Sequence, residues 1–108
     1  MKNIREVSDV LSELDKQGRY FIDFITTKQI QAGVLRLHPG GNDTQQPHSV
    51  DEVYYVIHGN GLINLKGNDY NIKQGSCVFV KAGTEHRFHG NNEDLVVLYA
   101  LGGQSTSN

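Results

Sequence analysis

From Tyr20 onward, apolar and polar residues alternate along most of the chain, and short β-forming runs are separated by turn-forming residues. A period of two is the pattern of strands with one buried face. Asn60-Gly61 is a strong signal for a two-residue hairpin turn. The pattern predicts about eight strands, over residues 20–27, 29–37, 52–58, 61–66, 70–73, 76–80, 85–89 and 95–101. This arrangement predicts an all-β double-sheet sandwich or small barrel of the jelly-roll type.

Near the N-terminus the apolar residues are no longer spaced at every second position but at the three- and four-residue spacing of an α-helix. Val10, Leu11 and Leu14 fall at helical spacing, Ser8 or Asp9 is placed to cap the helix, and Gly18 is placed to end it. We therefore expect a short helix over about 8–17 and a barrel over about 19–101. The small polar residues of 102–108 predict a flexible tail. No linker or repeat interrupts the sequence, which predicts a single domain over 1–108.

Composition narrows the classes of function. The formal net charge is −2 and no basic stripe is present, which argues against nucleic acid as a partner. No apolar run reaches the roughly 20 residues of a membrane helix, so we expect no membrane partner. Cys77 is the only cysteine, so no intrachain disulfide is expected, which fits a reducing, cytoplasmic location. Its thiol is expected to be buried and inert. Small barrels expose edge strands, so a homodimer is expected, with 20–27 as the candidate edge.

Two histidines and one glutamate form the candidate site. His48 and Glu52 precede a strongly β-forming run, and His86 lies in another. Two imidazoles and one carboxylate suit a divalent transition metal such as Fe, Mn, Ni or Zn and leave coordination positions open. With one carboxylate the metal keeps a formal charge of about +1, which favours an anionic substrate or bound hydroxide. The alternative is that these residues are ordinary exposed or hydrogen-bonded side chains.

The glycines around these residues complete two motifs that resemble those of the small single-domain cupins, over roughly Val34 to Leu101. The matching positions are Gly40, Gln46-Pro47-His48, Glu52 and Gly59 in the first motif and Gly75, Lys81-Ala82-Gly83 and His86 in the second. Gln46 stands where the family usually has a first histidine ligand, and it offers a weak neutral oxygen or orients a bound water. The alternative is a degraded site that binds metal weakly. The resemblance implies a double-stranded β-helix. It also implies dioxygenase, isomerase or epimerase chemistry, or a non-catalytic module that binds a small molecule or metal, such as a sensor.

Three further residues are candidates for the site. Tyr54 is two positions after Glu52, so both side chains are expected on the same face of the strand. Tyr54 is therefore a candidate catalytic residue that donates a hydrogen bond or a proton, and the alternative is a tyrosine packed in the core. Phe88 shares parity with His86 and is expected in an apolar substrate-binding wall. Arg36 holds a substrate carboxylate if it faces inward, and is a solvated charge if it faces outward.

The other histidines are expected outside the site. They are His38, His58 and His89.

Overall fold

The computed structural model describes residues 2–103, which contain one helix and eight strands. The helix is α1 (Val7–Gln17), and the strands are β1 (Phe21–Thr26), β2 (Ile30–Leu37), β3 (Glu52–His58), β4 (Gly61–Leu65), β5 (Asn68–Ile72), β6 (Cys77–Val80), β7 (His86–His89) and β8 (Leu95–Gly102). The predicted all-β architecture with a short N-terminal helix is confirmed.

The strands form two antiparallel sheets whose inner faces share one core. The larger sheet has the order β1-β2-β8-β3-β6 and the smaller sheet the order β5-β4-β7. Along β3 the burial alternates, with Tyr54 and Val56 buried and Val53 and Tyr55 exposed. This alternation follows from the pleat, which sends successive side chains to opposite faces. The core joins both sheets and contains Leu35, Leu37, Tyr54, Val56, Ile63, Ile72, Val80, Phe88, Leu95, Val97, Tyr99 and Leu101.

The helix covers part of the outer face of the larger sheet. Val10 forms a second buried cluster with Val34 of β2 and Val96 of β8. Gly18 ends the helix in the left-handed conformation and donates its N–H to the carbonyl of Leu14, as the sequence predicted. The predicted cap at Ser8 or Asp9 is wrong, because both residues lie inside the helix. The helix instead starts after Glu6, whose backbone is extended and whose side chain makes no capping bond.

The last strand runs further than the sequence indicated. Gly102 belongs to β8 and donates its N–H to the carbonyl of Asp51, and the N–H of Gly103 bonds to Gln29. The flexible tail predicted from residue 102 therefore does not include these two glycines, and the rest of it, 104–108, lies outside the described residues. Within residues 2–103, no helix has the length and apolar character to cross a membrane.

The expectation of a buried thiol is wrong. Cys77 opens β6, an edge strand of the larger sheet, and its side chain is exposed on the outer face. It lies opposite the exposed Tyr55 of β3, because the outward positions of these two strands are in register.

Candidate functional site

The three predicted ligand residues meet inside the barrel, although each comes from a different segment. Glu52 is the first residue of β3 and pairs with Val80 of β6 and with Leu101 of β8. His86 is the first residue of β7, in the smaller sheet. His48 lies on the loop before β3. The site is therefore assembled from both sheets and one loop.

The distances between the ligand atoms are those of a group that can hold one ion. The Glu52 Oε1 atom lies 3.4 Å from His86 Nε2 and 3.6 Å from His48 Nε2. The candidate ligand atoms of the three residues all lie within 4.8 Å of one another. Ligands at about 2.1 Å from a common metal are roughly 3.0–3.4 Å apart in octahedral or tetrahedral geometry. A small inward adjustment of His48 would complete the set.

Two of these atoms are buried without a hydrogen-bond partner. They are Glu52 Oε1 and His86 Nε2, on side chains that are only 2 % and 1 % exposed. Leaving a buried polar atom unpaired costs about 1–3 kcal/mol. A bound cation would satisfy both atoms at once, so the donor set fits a divalent transition metal.

The backbone holds His86 in the tautomer that a metal needs. His86 Nδ1 lies 2.8 Å from the carbonyl oxygen of Thr84. Since a carbonyl only accepts, Nδ1 carries the proton and Nε2 presents its lone pair to the site. Burial opposes the imidazolium, but the Glu52 carboxylate, the Thr84 carbonyl and the charge of Asp43 outweigh it and raise the pKa of His86.

Two hydrogen bonds fasten the loop of His48 to the turn that leads into β7. Gly83 N–H donates to the carbonyl of His48 at 2.8 Å, and Ala82 N–H donates to Asp51 Oδ1 at 2.9 Å. Gly83 has φ of 81°, a conformation that glycine adopts without strain. This pair of bonds, which we call the loop tie, aligns the two histidine segments although they are distant in sequence.

A cavity of about 310 Å³ opens beside His48 and Glu52. Gln46 lines it from an exposed position on the same loop. Its coordination of a metal stays a prediction. The walls combine aromatic, aliphatic and neutral polar side chains with two carboxylates, and the lining residues are Tyr20, Phe21, Asp23, Gln31, Leu35, Thr44, Gln45, Gln46, His48, Glu52, Tyr99 and Leu101.

Tyr54 lies behind this cavity and not in its lining. Its buried hydroxyl donates to Gln45 Oε1 at 2.7 Å, and Gln45 Nε2 donates in turn to Asp43 Oδ2 at 2.9 Å. Burial, followed by the charges of Glu52 and Asp43, raises the pKa of Tyr54 well above its ordinary value. Tyr54 therefore remains a neutral hydroxyl at physiological pH.

Phe88 is also a core residue. Its ring packs edge-on against Tyr54 with centroids 4.8 Å apart, and its N–H donates to Asp43 Oδ2 at 2.8 Å. It supports Tyr54 and does not line the cavity itself.

Arg36 faces away from the cavity. It shares the outer face of β2 with Val34, under the helix, and its guanidinium pairs with Asp15 of α1. The inward orientation, which a substrate contact in this cavity requires, is therefore wrong for Arg36. The outward orientation is the observed one, but the side chain is ion-paired and only 13 % exposed, and so is not a solvated charge. The pleat of β2 sets this side, because Arg36 alternates with Leu35 and Leu37, whose side chains are in the inner core.

The remaining histidines have acidic partners outside the site. His38 lies 2.6 Å from Asp94, and His89 lies 2.8 Å from Asp69. The exposed His58 is 3.8 Å from Glu93. Within residues 2–103, His48, Glu52 and His86 form the group with metal-ligand spacing.

Sequence reasoning missed a polar cluster formed by Asp23, Gln31 and Tyr99. Tyr99 donates its hydroxyl to Asp23 Oδ1 at 2.7 Å, and Gln31 Nε2 donates to Asp23 Oδ2 at 3.1 Å. Burial and the neighbouring Asp23 carboxylate raise the pKa of Tyr99 far above its ordinary value. Tyr99 is two positions before the apolar Leu101, so both side chains face the same side of the strand. This spacing was the signal that could have placed Tyr99 on the inner face.

Comparison with known proteins places this geometry in a family. The family model described as a cupin domain matches residues 33–101. An uncharacterized protein of Streptomyces coelicolor is 37% identical over 78 residues, which cover 72% of this chain and 74% of that protein.

Solved structures share the fold at low sequence identity. TT1209 from Thermus thermophilus superposes with a TM-score of 0.75 at 16% identity, covering 94% of this chain and 98% of that one. An RmlC-like cupin from Methanocaldococcus jannaschii, with a double-stranded β-helix fold, gives 0.71 at 16% identity, covering 77% and 78% of the two chains. KdgF from Halomonas sp. gives 0.69 at 19% identity, covering 78% and 77%. The chain belongs to the cupin family.

Proposed function

We propose that this cupin binds one divalent transition metal through His48, Glu52 and His86 and acts on a small molecule in the adjoining cavity, as a dioxygenase or an isomerase. The observation that carries the proposal is the pair of buried, unpartnered ligand atoms that face each other in the barrel. Two imidazoles and a carboxylate favour Fe, Mn, Ni or Zn over the oxygen-seeking Ca²⁺ and Mg²⁺.

The protein's own groups define how such a site would work. A bound metal of this type supplies Lewis acidity or, for iron, reactivity towards dioxygen. Glu52 and His86 lie on strands, His48 is aligned by the loop tie, and Phe21, Leu35 and Leu101 contribute apolar surface to the cavity. Gln46 is the further residue from which a ligand atom or a water contact is expected.

Tyr54 fits a positioning role better than proton transfer. Its hydroxyl is engaged by Gln45, and its raised pKa makes it a weak acid at neutral pH. We propose that it holds the loop through Gln45 and Asp43, which keeps Gln46 and His48 at the cavity.

A non-catalytic binding module is the second candidate. It is favoured by the same observation on Tyr54, because a committed hydroxyl leaves the metal centre without an obvious proton donor. In that case the metal and cavity would serve to hold a small molecule, as in a sensor.

The exposed thiol, which has no possible intrachain partner, supports our further proposal of a reducing, cytoplasmic location.

Elemental analysis of protein purified without a histidine tag tests the metal site. We expect about one metal per chain in the wild type and in His58→Ala, and loss of the metal in His86→Ala. His58 is the matched control because it is a histidine outside the cluster. Unchanged occupancy in His86→Ala would show that the ligand assignment is wrong.

Activity assays on the metal-loaded protein separate the two candidates. Oxygen uptake with iron(II) over a panel of catechols, diketones and thiols supports a dioxygenase. Solvent deuterium incorporation into hydroxyketones, followed by NMR, supports an isomerase. Binding without either reaction supports the non-catalytic module.

A further inference from the structure

The cavity has a second polar end, formed by the cluster of Asp23, Gln31 and Tyr99. Strand register fixes its position, because Gln31 of β2, Leu101 of β8 and Glu52 of β3 form one row across the larger sheet. Adjacent strands are about 4.8 Å apart, so the Cα atoms of Gln31 and Glu52 are separated by about 10 Å. The neighbouring row places Asp23 of β1 one strand further out. The same cavity therefore borders both the candidate metal ligands and this cluster.

The charge of the cavity restricts what can bind there. Both carboxylates of the lining, Glu52 and Asp23, are acceptors, and no lysine or arginine is among the described lining residues. Each oxygen of Asp23 accepts one bond from the protein, from Tyr99 or from Gln31, and keeps a free lone pair. A second anionic group on a ligand would meet Asp23, whereas Arg19, a cation whose charge reaches Tyr99, lies outside the lining and stacks on the ring of Phe21.

We propose that Asp23, Gln31 and Tyr99 form a second subsite that selects a compact neutral ligand, with metal-chelating oxygens at one end and hydroxyl donors at the other. This inference rests on the proposed metal site. It replaces the expectation of an anionic substrate, which considered only the charge of the metal. Gly33 forms the floor between Asp23 and Tyr99, where an added Cβ would lie 2.3 Å from the Tyr99 hydroxyl. The absence of a side chain there lets the hydroxyl reach Asp23.

Three hydroxypyranones with the same chelating head provide the test. Kojic acid carries a hydroxymethyl group, allomaltol a methyl group and comenic acid a carboxylate at the same ring position. We expect the zinc-loaded protein to bind kojic acid about tenfold more tightly than allomaltol, and comenic acid most weakly, by calorimetry. Asp23→Asn should reduce both differences, while Asp94→Asn, which lies at His38, should preserve them.

The outcomes separate this inference from the proposed function. Equal or tighter binding of comenic acid than of allomaltol in the wild type, or affinity differences in Asp23→Asn as large as those in the wild type, overturns the subsite alone. Failure of all three probes to bind while zinc is retained overturns the subsite together with the small-molecule part of the proposed function. Failure to hold zinc at all overturns the metal site on which both depend.

A different observation supports a second inference, about the outer face of the larger sheet. The helix covers β1, β2 and part of β8, but it leaves the β3–β6 end open. The side chains exposed there are Phe79 at 61 %, Val53 at 50 % and Tyr55 at 42 %, with Cys77 beside them. Register places Val53 opposite Phe79 and Tyr55 opposite Cys77, so the four form one contiguous surface, which we call the β3–β6 face.

We infer that the β3–β6 face binds a second copy of this chain. The exposed parts of its two aromatic residues and Val53 amount to about 280 Å², roughly a third of the 800 Å² per partner in a standard interface. That share matches an apolar centre surrounded by a polar rim, and aromatic anchors are typical of such centres. An uncharged face can pack against itself across a two-fold axis. This location differs from the β1 edge that the sequence suggested.

Light scattering on a sizing column tests the inference. We expect a mass near 24 kDa, twice the 12.0 kDa of the chain, for the wild type, and near 12.0 kDa for Phe79→Glu. Tyr70→Glu is the control, because Tyr70 is 52 % exposed on β5 of the other sheet. Cys77, the only thiol, should react with a maleimide more slowly in the wild type than in Phe79→Glu. A wild-type monomer, or a dimer that survives in Phe79→Glu, overturns the inference.

Discussion

Glu52→Gln is the sharpest test of the metal site, because it removes the one anionic ligand with almost no change in shape. Glu52 is 2 % exposed and its Oε1 atom faces both imidazoles. The glutamine oxygen is neutral and a weaker ligand, so we expect metal affinity to fall by at least about 100-fold.

The size of the effect on stability follows from mass action. Metal at about 100 times its dissociation constant stabilises the wild type by about 2.7 kcal/mol. The same metal concentration would stabilise Glu52→Gln by only about 0.4 kcal/mol, since it would equal the weakened dissociation constant. At about 4 °C per kcal/mol for a domain of about 100 residues, the melting temperature rises by about 11 °C in the wild type and about 2 °C in the variant.

Differential scanning calorimetry with and without zinc measures both shifts. Protein first treated with a chelator provides the metal-free reference. His58→Ala, with its exposed imidazole beside Glu93, should show the full wild-type shift. An equal shift in Glu52→Gln and the wild type would refute the assignment of Glu52 as a ligand.

Three further predictions follow from the structure. Asp51→Ala removes the side-chain half of the loop tie, so we expect metal affinity to fall about fivefold by calorimetry although no ligand is changed; an unchanged affinity would refute the tie. Gly33→Ala would place a Cβ 2.1 Å from the carbonyl oxygen of Ile22, so the β1–β2 pairing must shift and urea unfolding should show a loss of about 3 kcal/mol; a loss below about 1 kcal/mol would contradict the packing. The raised pKa of Tyr54 stabilises the fold below the unfolded tyrosine value of about 10, and this contribution is lost as the pH rises above it. The urea midpoint should therefore fall less between about pH 8 and about pH 11 in Tyr54→Phe than in the wild type, and equal falls would argue against a buried neutral hydroxyl.

The sequence predicted the fold and the ligand cluster because both depend on local spacing. Alternation along β3 placed Glu52 and Tyr54 on the inner face, and the glycine-bounded motifs placed His86 at the start of another strand. Such patterns are set by the pleat and by turns, which a single sequence displays directly.

The errors arose where contacts between distant segments decide the outcome. The alternation along β2 shows that the side chains of Arg36 and Leu35 lie on opposite faces of the sheet. Only the docking of α1 shows that the face with Arg36 is the outer one. Likewise, the exposure of Cys77 depends on how far the helix extends over the sheet. The bond between Asp23 and Tyr99 joins the first and last strands, and no local pattern indicates it.

The three candidate ligand residues differ in how firmly the fold holds them, and this difference would bear on metal selectivity. Glu52 is paired with strands on both sides, and His86 is fixed by register opposite Leu65 and by its bond to Thr84. His48 has a backbone anchor, but its half-buried imidazole projects from a loop. One adjustable donor opposite two rigid donors can accommodate ions of different radius and coordination number. A metal centre built on these residues would discriminate poorly among first-row ions, and the ion it held would then follow the metal supply around the protein.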